Sequence, residues 1–89
     1  MMNPMWDAAL IKMQLRMPSN IYNAIAGELQ FESFENGVLL LSFKSDAFFK
    51  WFEGKNGNII AYEHYMIYYG EVLEAFGEDT QIKYKQRKD

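Results

Sequence analysis

Cysteine is missing from all 89 residues. That excludes a disulfide framework, a thiolate metal site and a thiol nucleophile, and it fits a reducing, cytoplasmic setting, because small secreted domains usually depend on such staples. Histidine occurs once, as His64, so the parts for a zinc site or a nucleophile–base pair are lacking. His64 is read as a packing or solvated side chain of a helix. No apolar run approaches the roughly 20 residues that span a bilayer, and Met1 to Met5 has neither a basic start nor a leader-like hydrophobic run. No membrane attachment is expected.

What is present describes a folding chain. Hydrophobic residues make up 49%, aromatic residues 17% and charged residues 24%, a balance that buries one core and argues against disorder. Residues 1–85 are expected to form a single domain, and 86–89 a basic tail that frays. The net charge of −3 is uneven, with 11 acids and 5 bases up to Asp79 but 4 bases and 1 acid in the last ten residues. A polyanion would meet a local basic edge on an acidic body.

Periodicity gives the order of elements. Asn3 and Pro4 form a helix start, and Trp6, Ala9, Leu10, Met13 and Met17 form one apolar stripe over Pro4–Met17, which Pro18 ends. Ser19 or Asn20 caps a short helix over Ile21–Ala26 that Gly27 stops. Alternation then predicts a hairpin, Leu29–Ser33 with Val38–Lys44, around Glu35-Asn36-Gly37. A two-residue Asn-Gly turn would set Phe31 against Ser42 and mix the faces. A three-residue loop with Gly37 left-handed sets Phe31 against Leu41 and Leu29 against Phe43, and is preferred.

Ser45 caps a helix over Asp46–Glu53, whose Phe48, Phe49, Trp51 and Phe52 exceed one stripe. After Gly54-Lys55-Asn56-Gly57, Asn58 caps a long helix to Phe76 with a seam of Ile59, Tyr62, Met66, Tyr69, Leu73 and Phe76. Ile60, Tyr65, Ile67, Tyr68 and Val72 fall off that seam, so the helix is either central or a partner surface. A strand over Thr80–Lys85 completes an α+β order ααββααβ. The expected core is Trp6, Leu10, Leu29, Phe31, Leu39, Leu41, Phe43, Phe48, Phe52, Met66, Leu73 and Phe76.

No catalytic residue, metal site or cofactor is assigned. Glu71, Glu74 and Glu78 share a helical spacing and are read as a solvated acidic face. The Gly54–Gly57 segment is a G-x-x-G with a lysine between two helices, where backbone N–H groups can approach a phosphate. The bland reading is a helix stop followed by a turn.

Strand, helix, G-x-x-G, helix, strand is the minimal KH motif, and with the preceding helix and strand the order resembles the type II KH arrangement. The run Gly54-Lys55-Asn56-Gly57-Asn58-Ile59-Ile60 resembles that of bacterial Jag-type KH domains. A second resemblance, carried by Trp6, Leu10, Leu29, Phe31, Glu35-Asn36-Gly37, Leu39, Leu41, Phe48 and Trp51, is to the N-terminal domain of DnaA initiators and the C-terminal domain of DNA polymerase III tau subunits. These resemblances imply a KH-like fold helped by no cofactor. They also imply three readings of function.

The first reading is a non-enzymatic protein-docking module of DNA replication, with Trp6, Trp51, Tyr65 and Tyr68 as candidate anchors, the exposed tryptophan deciding between the first two. The second is a binder of single-stranded RNA or DNA using Lys50, Gly54, Lys55, Asn56, Gly57, Lys83, Lys85 and Arg87. The third is a homodimer-forming accessory protein.

Overall fold

In the computed structural model, which describes residues 3–52 and 59–88 and the side chains of 3–52 and 63–88, α1 spans Pro4–Arg16. Asn3 Oδ1 accepts from the N–H groups of Met5 and Trp6 at 2.9 and 3.0 Å, which is the cap that an Asn-Pro start provides. Met17 is already extended, as a residue before proline must be. The second helix, α2, covers Ser19–Glu28, longer at both ends than Ile21–Ala26. Pro18 precedes it without a side-chain cap, and Gly27 lies inside the helix rather than stopping it. Its last residue, Glu28, accepts from the N–H groups of Lys44 and Ser45, an anchor that ties the helix end to the far end of the hairpin.

Strands β1 (Gln30–Glu35) and β2 (Val38–Phe43) are antiparallel. Phe31 stands opposite Leu41, as the face argument required, but the connection is not the three-residue loop. Asn36 and Gly37 both have positive φ, 52° and 75°, the mirror-image two-residue turn that matches the twist of a hairpin. The faces are reconciled by a bulge between Phe31 and Ser33. Phe31 and Phe34 are three residues apart, so a regular strand would send their rings to opposite faces. The extra residue Glu32 lets both face the core, opposite Leu41 and Leu39.

Ser45 Oγ accepts from Phe48 N–H at 3.0 Å and starts α3, Asp46–Phe52. Helix α4 covers Ile59–Phe76 and β3 covers Gln81–Gln86. The proposed caps and stops at Glu53, Gly54, Gly57 and Asn58 lie outside the described residues. Strand β3 runs parallel to β2, giving one mixed sheet in the order β1-β2-β3, an α+β fold with the chain order ααββααβ. The tail does not fray from residue 86. Gln86 belongs to β3, and the N–H of Arg87 bonds the Phe43 carbonyl at 2.8 Å.

Helices pack on one face of the sheet, where Leu39, Leu41 and Phe43 are buried with Trp6, Ala9, Met13, Met17, Ile25, Leu29, Phe31, Phe52, Tyr68 and Val72. Leu10, Phe48 and Phe76 are half-buried against this core, and Leu73 is half-buried as well. Met66 is 45% exposed, which corrects its place in the expected core. The seam of α4 is likewise corrected. Its buried line runs through Tyr68, Glu71 and Val72, more than a third of a turn from the expected one at 3.6 residues per turn.

Deleting Glu32 tests the bulge. The shortened strand should keep Phe31 opposite Leu41 in a regular ladder and lose about 1–3 kcal/mol with the Glu32–Ser42 hydrogen bond. Chemical denaturation and cross-strand contacts between residues 31 and 41 check it. A slipped register would contradict it.

Candidate functional site

The candidate docking aromatics divide sharply. Trp6 is 5% exposed and Tyr68 is 0% exposed, so neither presents its ring to a partner. Trp6 sits on the core stripe of α1, and Tyr68 lies where α3, α4 and β3 meet. Trp51 and Tyr65 are half-buried, Trp51 tilted against Phe48 with ring centroids 5.7 Å apart and Tyr65 edge-on to Phe52 at 5.1 Å. These four side chains form no single exposed patch.

The Tyr68 hydroxyl meets that of Tyr84 at 2.7 Å, and its ring is edge-on to Phe52 at 4.8 Å. Burial, with the Tyr84 hydroxyl second, pushes the Tyr68 phenol well above its ordinary range. Tyr84 in turn is edge-on to Phe49, which stacks on Phe43 at 4.3 Å. The aromatic surplus of α3 is spent on this contact between helices and sheet.

On the other flank of α4, Arg16 Nη1 donates to Glu71 Oε2 at 2.6 Å and Lys12 Nζ to Glu74 Oε1 at 2.5 Å. Glu71 is 4% exposed, which corrects the reading of Glu71, Glu74 and Glu78 as one solvated face. Positions 12 and 16 meet 74 and 71, so α1 and α4 run antiparallel. Lys12 holds the Glu74 carboxyl below the usual carboxylate range, first by its hydrogen bond and then by its charge. Among the described residues no three His, Asp or Glu side chains cluster to hold a metal ion.

Sequence reasoning missed the outward side of α1. Trp6, Ala9 and Met13 are buried, while Pro4 and Ala8 are exposed, Ile11 is 60% exposed and Leu15 is 82% exposed. These four recur at spacings of four, three and four, so they make one apolar ridge directly opposite the core stripe. The signal was present at positions 4, 8, 11 and 15, a second stripe overshadowed by the one containing Trp6.

The nucleic-acid candidates are also separated. Lys50, on α3, pairs with Asp46 at 3.6 Å. Lys83, Lys85 and Arg87 alternate with Ile82 and Tyr84, which face the helices opposite Leu39 and Leu41. The three cations therefore lie on the face that the helices leave open, while α3 packs on the other. Lys50 joins no groove with them, and Gly54, Lys55, Asn56 and Gly57 lie outside the described residues.

That open face has its own structure. Along β1 it carries Gln30, Glu32, Ser33 and Glu35, along β2 Val38, Leu40 and Ser42, and along β3 Gln81, Lys83 and Lys85, with Arg87 just past the strand end. Ser42 is fully buried beneath its neighbours. Its Oγ donates to Glu32 Oε2 at 2.6 Å and accepts from Arg87 Nη1 at 3.1 Å, and Lys85 Nζ lies 3.7 Å from Glu32 Oε1. The Ser42 hydrogen bond first, then the cations, hold the Glu32 carboxyl below its usual range.

Compared with protein-family models, with curated proteins and with solved structures, the chain gives no match. The surfaces must be read from their own chemistry. Among the described residues, no helix is long and apolar enough to cross a membrane.

Two outcomes test this geometry. Arg16→Ala leaves a buried carboxylate unpaired and should cost about 1–3 kcal/mol, while Lys12→Ala, at an exposed pair, should change stability little; thermal unfolding of both proteins ranks them. Tyr68→Phe should cost about 1 kcal/mol at pH 7. The raised phenol stabilises the fold below the unfolded-state value near 10 and loses that contribution as pH rises through the folded value. The gap between wild type and variant in urea unfolding should therefore narrow above about pH 10. A gap that widens would contradict the assignment.

Proposed function

We propose that the chain is a non-enzymatic docking module that presents the outer ridge of α1 to the apolar surface of a partner protein. The observation that carries this is the exposure of Ile11 and Leu15 on a helix whose opposite side is clamped into the core. Apolar side chains carried on a helix whose backbone is already fixed save the cost of ordering that backbone on binding, which favours their use as anchors. A ridge of four side chains is small beside the roughly 800 Å² per partner of a standard complex, so the interaction it supports is transient.

The resemblance of the sequence to DnaA N-terminal and tau C-terminal domains favours a partner among replication proteins. Trp6 and Tyr68 are withdrawn as anchors because both are interior, and Ile11 and Leu15 take their place. The reading as a binder of single-stranded nucleic acid rests on the Gly54-Lys55-Asn56-Gly57 sequence and on the cations of β3. Glu32 and Glu35 share the open face with those cations and would repel phosphate.

Ile11→Lys combined with Leu15→Lys should leave stability within about 0.5 kcal/mol per site, since both are surface positions. It should abolish capture of a partner that wild-type protein retains from a cell extract. Lys55→Asp combined with Asn56→Asp should retain that partner. A partner kept by the first variant and lost by the second, with oligonucleotide binding by wild type at low salt, would replace docking with the KH reading.

A further inference from the structure

We infer that the open face of the sheet is the interface of a homodimer, two copies packing face to face about a two-fold axis that runs along β2. The inference stands on the distribution of charge across three adjacent strands. Glu32 and Glu35 lie on β1, Lys83 and Lys85 lie on β3 with Arg87 just beyond its end, and β2 between them contributes half-buried Val38 and Leu40. Acid occupies one edge, base the other, and aliphatic side chains the middle.

Such a face is complementary to itself in one orientation. A two-fold axis along the strand direction carries each β1 across to lie over the partner's β3, and leaves β2 over β2. Height along the strands is preserved. Glu35 is level with Val38 and Gln81, and Leu40 is level with Lys83, so Glu35 of one copy approaches Lys83 of the other diagonally. Glu32 stays with Ser42 and Lys85 of its own copy, so the pair that crosses the interface is Glu35 with Lys83. Val38 and Leu40 meet their own counterparts at the centre, which completes an isologous contact. A two-fold axis across the strands would instead set β1 over β1, acid on acid and base on base, and is rejected by the same charges. Two sheets packed in the favoured way lie nearly aligned, as in β-sandwiches.

A second copy fits this face better than the other occupants do. A nucleic acid would meet two carboxylates, and among the described residues the face offers no aromatic ring on which a base could stack. A uniformly acidic or basic protein would be repelled by one of the two edges. In the dimer the helical layers lie outermost, so each copy still presents its α1 ridge. The assembly is then a bivalent form of the docking module, in which a weak ridge gains from two simultaneous contacts. The dimer itself does not depend on that reading, because it is measured on the purified chain.

Sedimentation over a range of concentrations provides the test, with Glu35→Lys and Lys83→Glu made separately. Wild type should dimerise, and less strongly as salt is raised. Each single variant should dimerise at least tenfold more weakly, because its own contacts become lysine against lysine or glutamate against glutamate. An equimolar mixture of the two variants should recover wild-type association, since every contact in the mixed dimer is again opposite in sign. Circular dichroism establishes that both variants are folded, and Glu35→Gln with Lys83→Gln serve instead if either is not. Wild type that stays monomeric at low salt overturns the inference. So does a mixture that associates no better than its components, or a dimer that survives both charge changes but dissolves in Ile11→Lys with Leu15→Lys. Binding of a short single-stranded oligonucleotide that Lys83→Glu abolishes, with wild type monomeric, would assign the face to nucleic acid.

Discussion

The position of the Tyr68 hydroxyl governs how the rest of the chain is arranged. A buried phenol needs a hydrogen-bond partner, and Tyr84 on β3 supplies it at 2.7 Å. That contact fixes the rotation of α4 about its own axis, and everything packed on α4 follows from the rotation. With Tyr68 and Val72 turned to the sheet, Glu71 and Glu74 point along the flank where Arg16 and Lys12 can reach them. The Arg16–Glu71 pair then sets α1 along α4 while Trp6, Ala9 and Met13 fill the core. The side of α1 left over is the apolar ridge.

This chain of dependence explains which parts of the fold could be read from sequence. The first helix and its cap rest on adjacent residues, Asn3 and Pro4, and on one stripe, so they were legible. The Ser45 cap of α3 was legible for the same reason. Helix α4 is apolar around most of its circumference, and hydrophobicity alone cannot rank its faces. Two pairings far apart in sequence, Tyr68 with Tyr84 and Arg16 with Glu71, break the tie. The hairpin shows a finer case. Demanding that Phe31 face Leu41 was correct, and the Asn36-Gly37 pair correctly favours a two-residue turn. Both are satisfied together only by a bulge, which the three-residue spacing of Phe31 and Phe34 required.

The candidate site was less legible than the fold. Aromatic residues were natural candidates for anchors, yet here the rings close the contact between helices and sheet, and Trp6 and Tyr68 are among the most buried side chains. The surfaces left outside are carried by ordinary residues, Ile11 and Leu15 on α1 and alternating charges on the sheet. A strand's period of two put Lys83 and Lys85 on one face from sequence alone, whereas Arg87 fell in the tail expected to fray and joins them only through its bond to Phe43. That Glu32 and Glu35 share this face at the opposite edge follows only from the strand order β1-β2-β3.

The fold holds the outer side of α1 open to solvent while its inner side is locked. Solvent paramagnetic relaxation of the methyl groups, recorded on the purified protein, measures this directly. Strong relaxation is expected at Ile11 and Leu15 and none at Ile25, Leu39 or Leu41. Protection of Ile11 and Leu15 equal to that of Leu39 would show the ridge to be covered, and would contradict it.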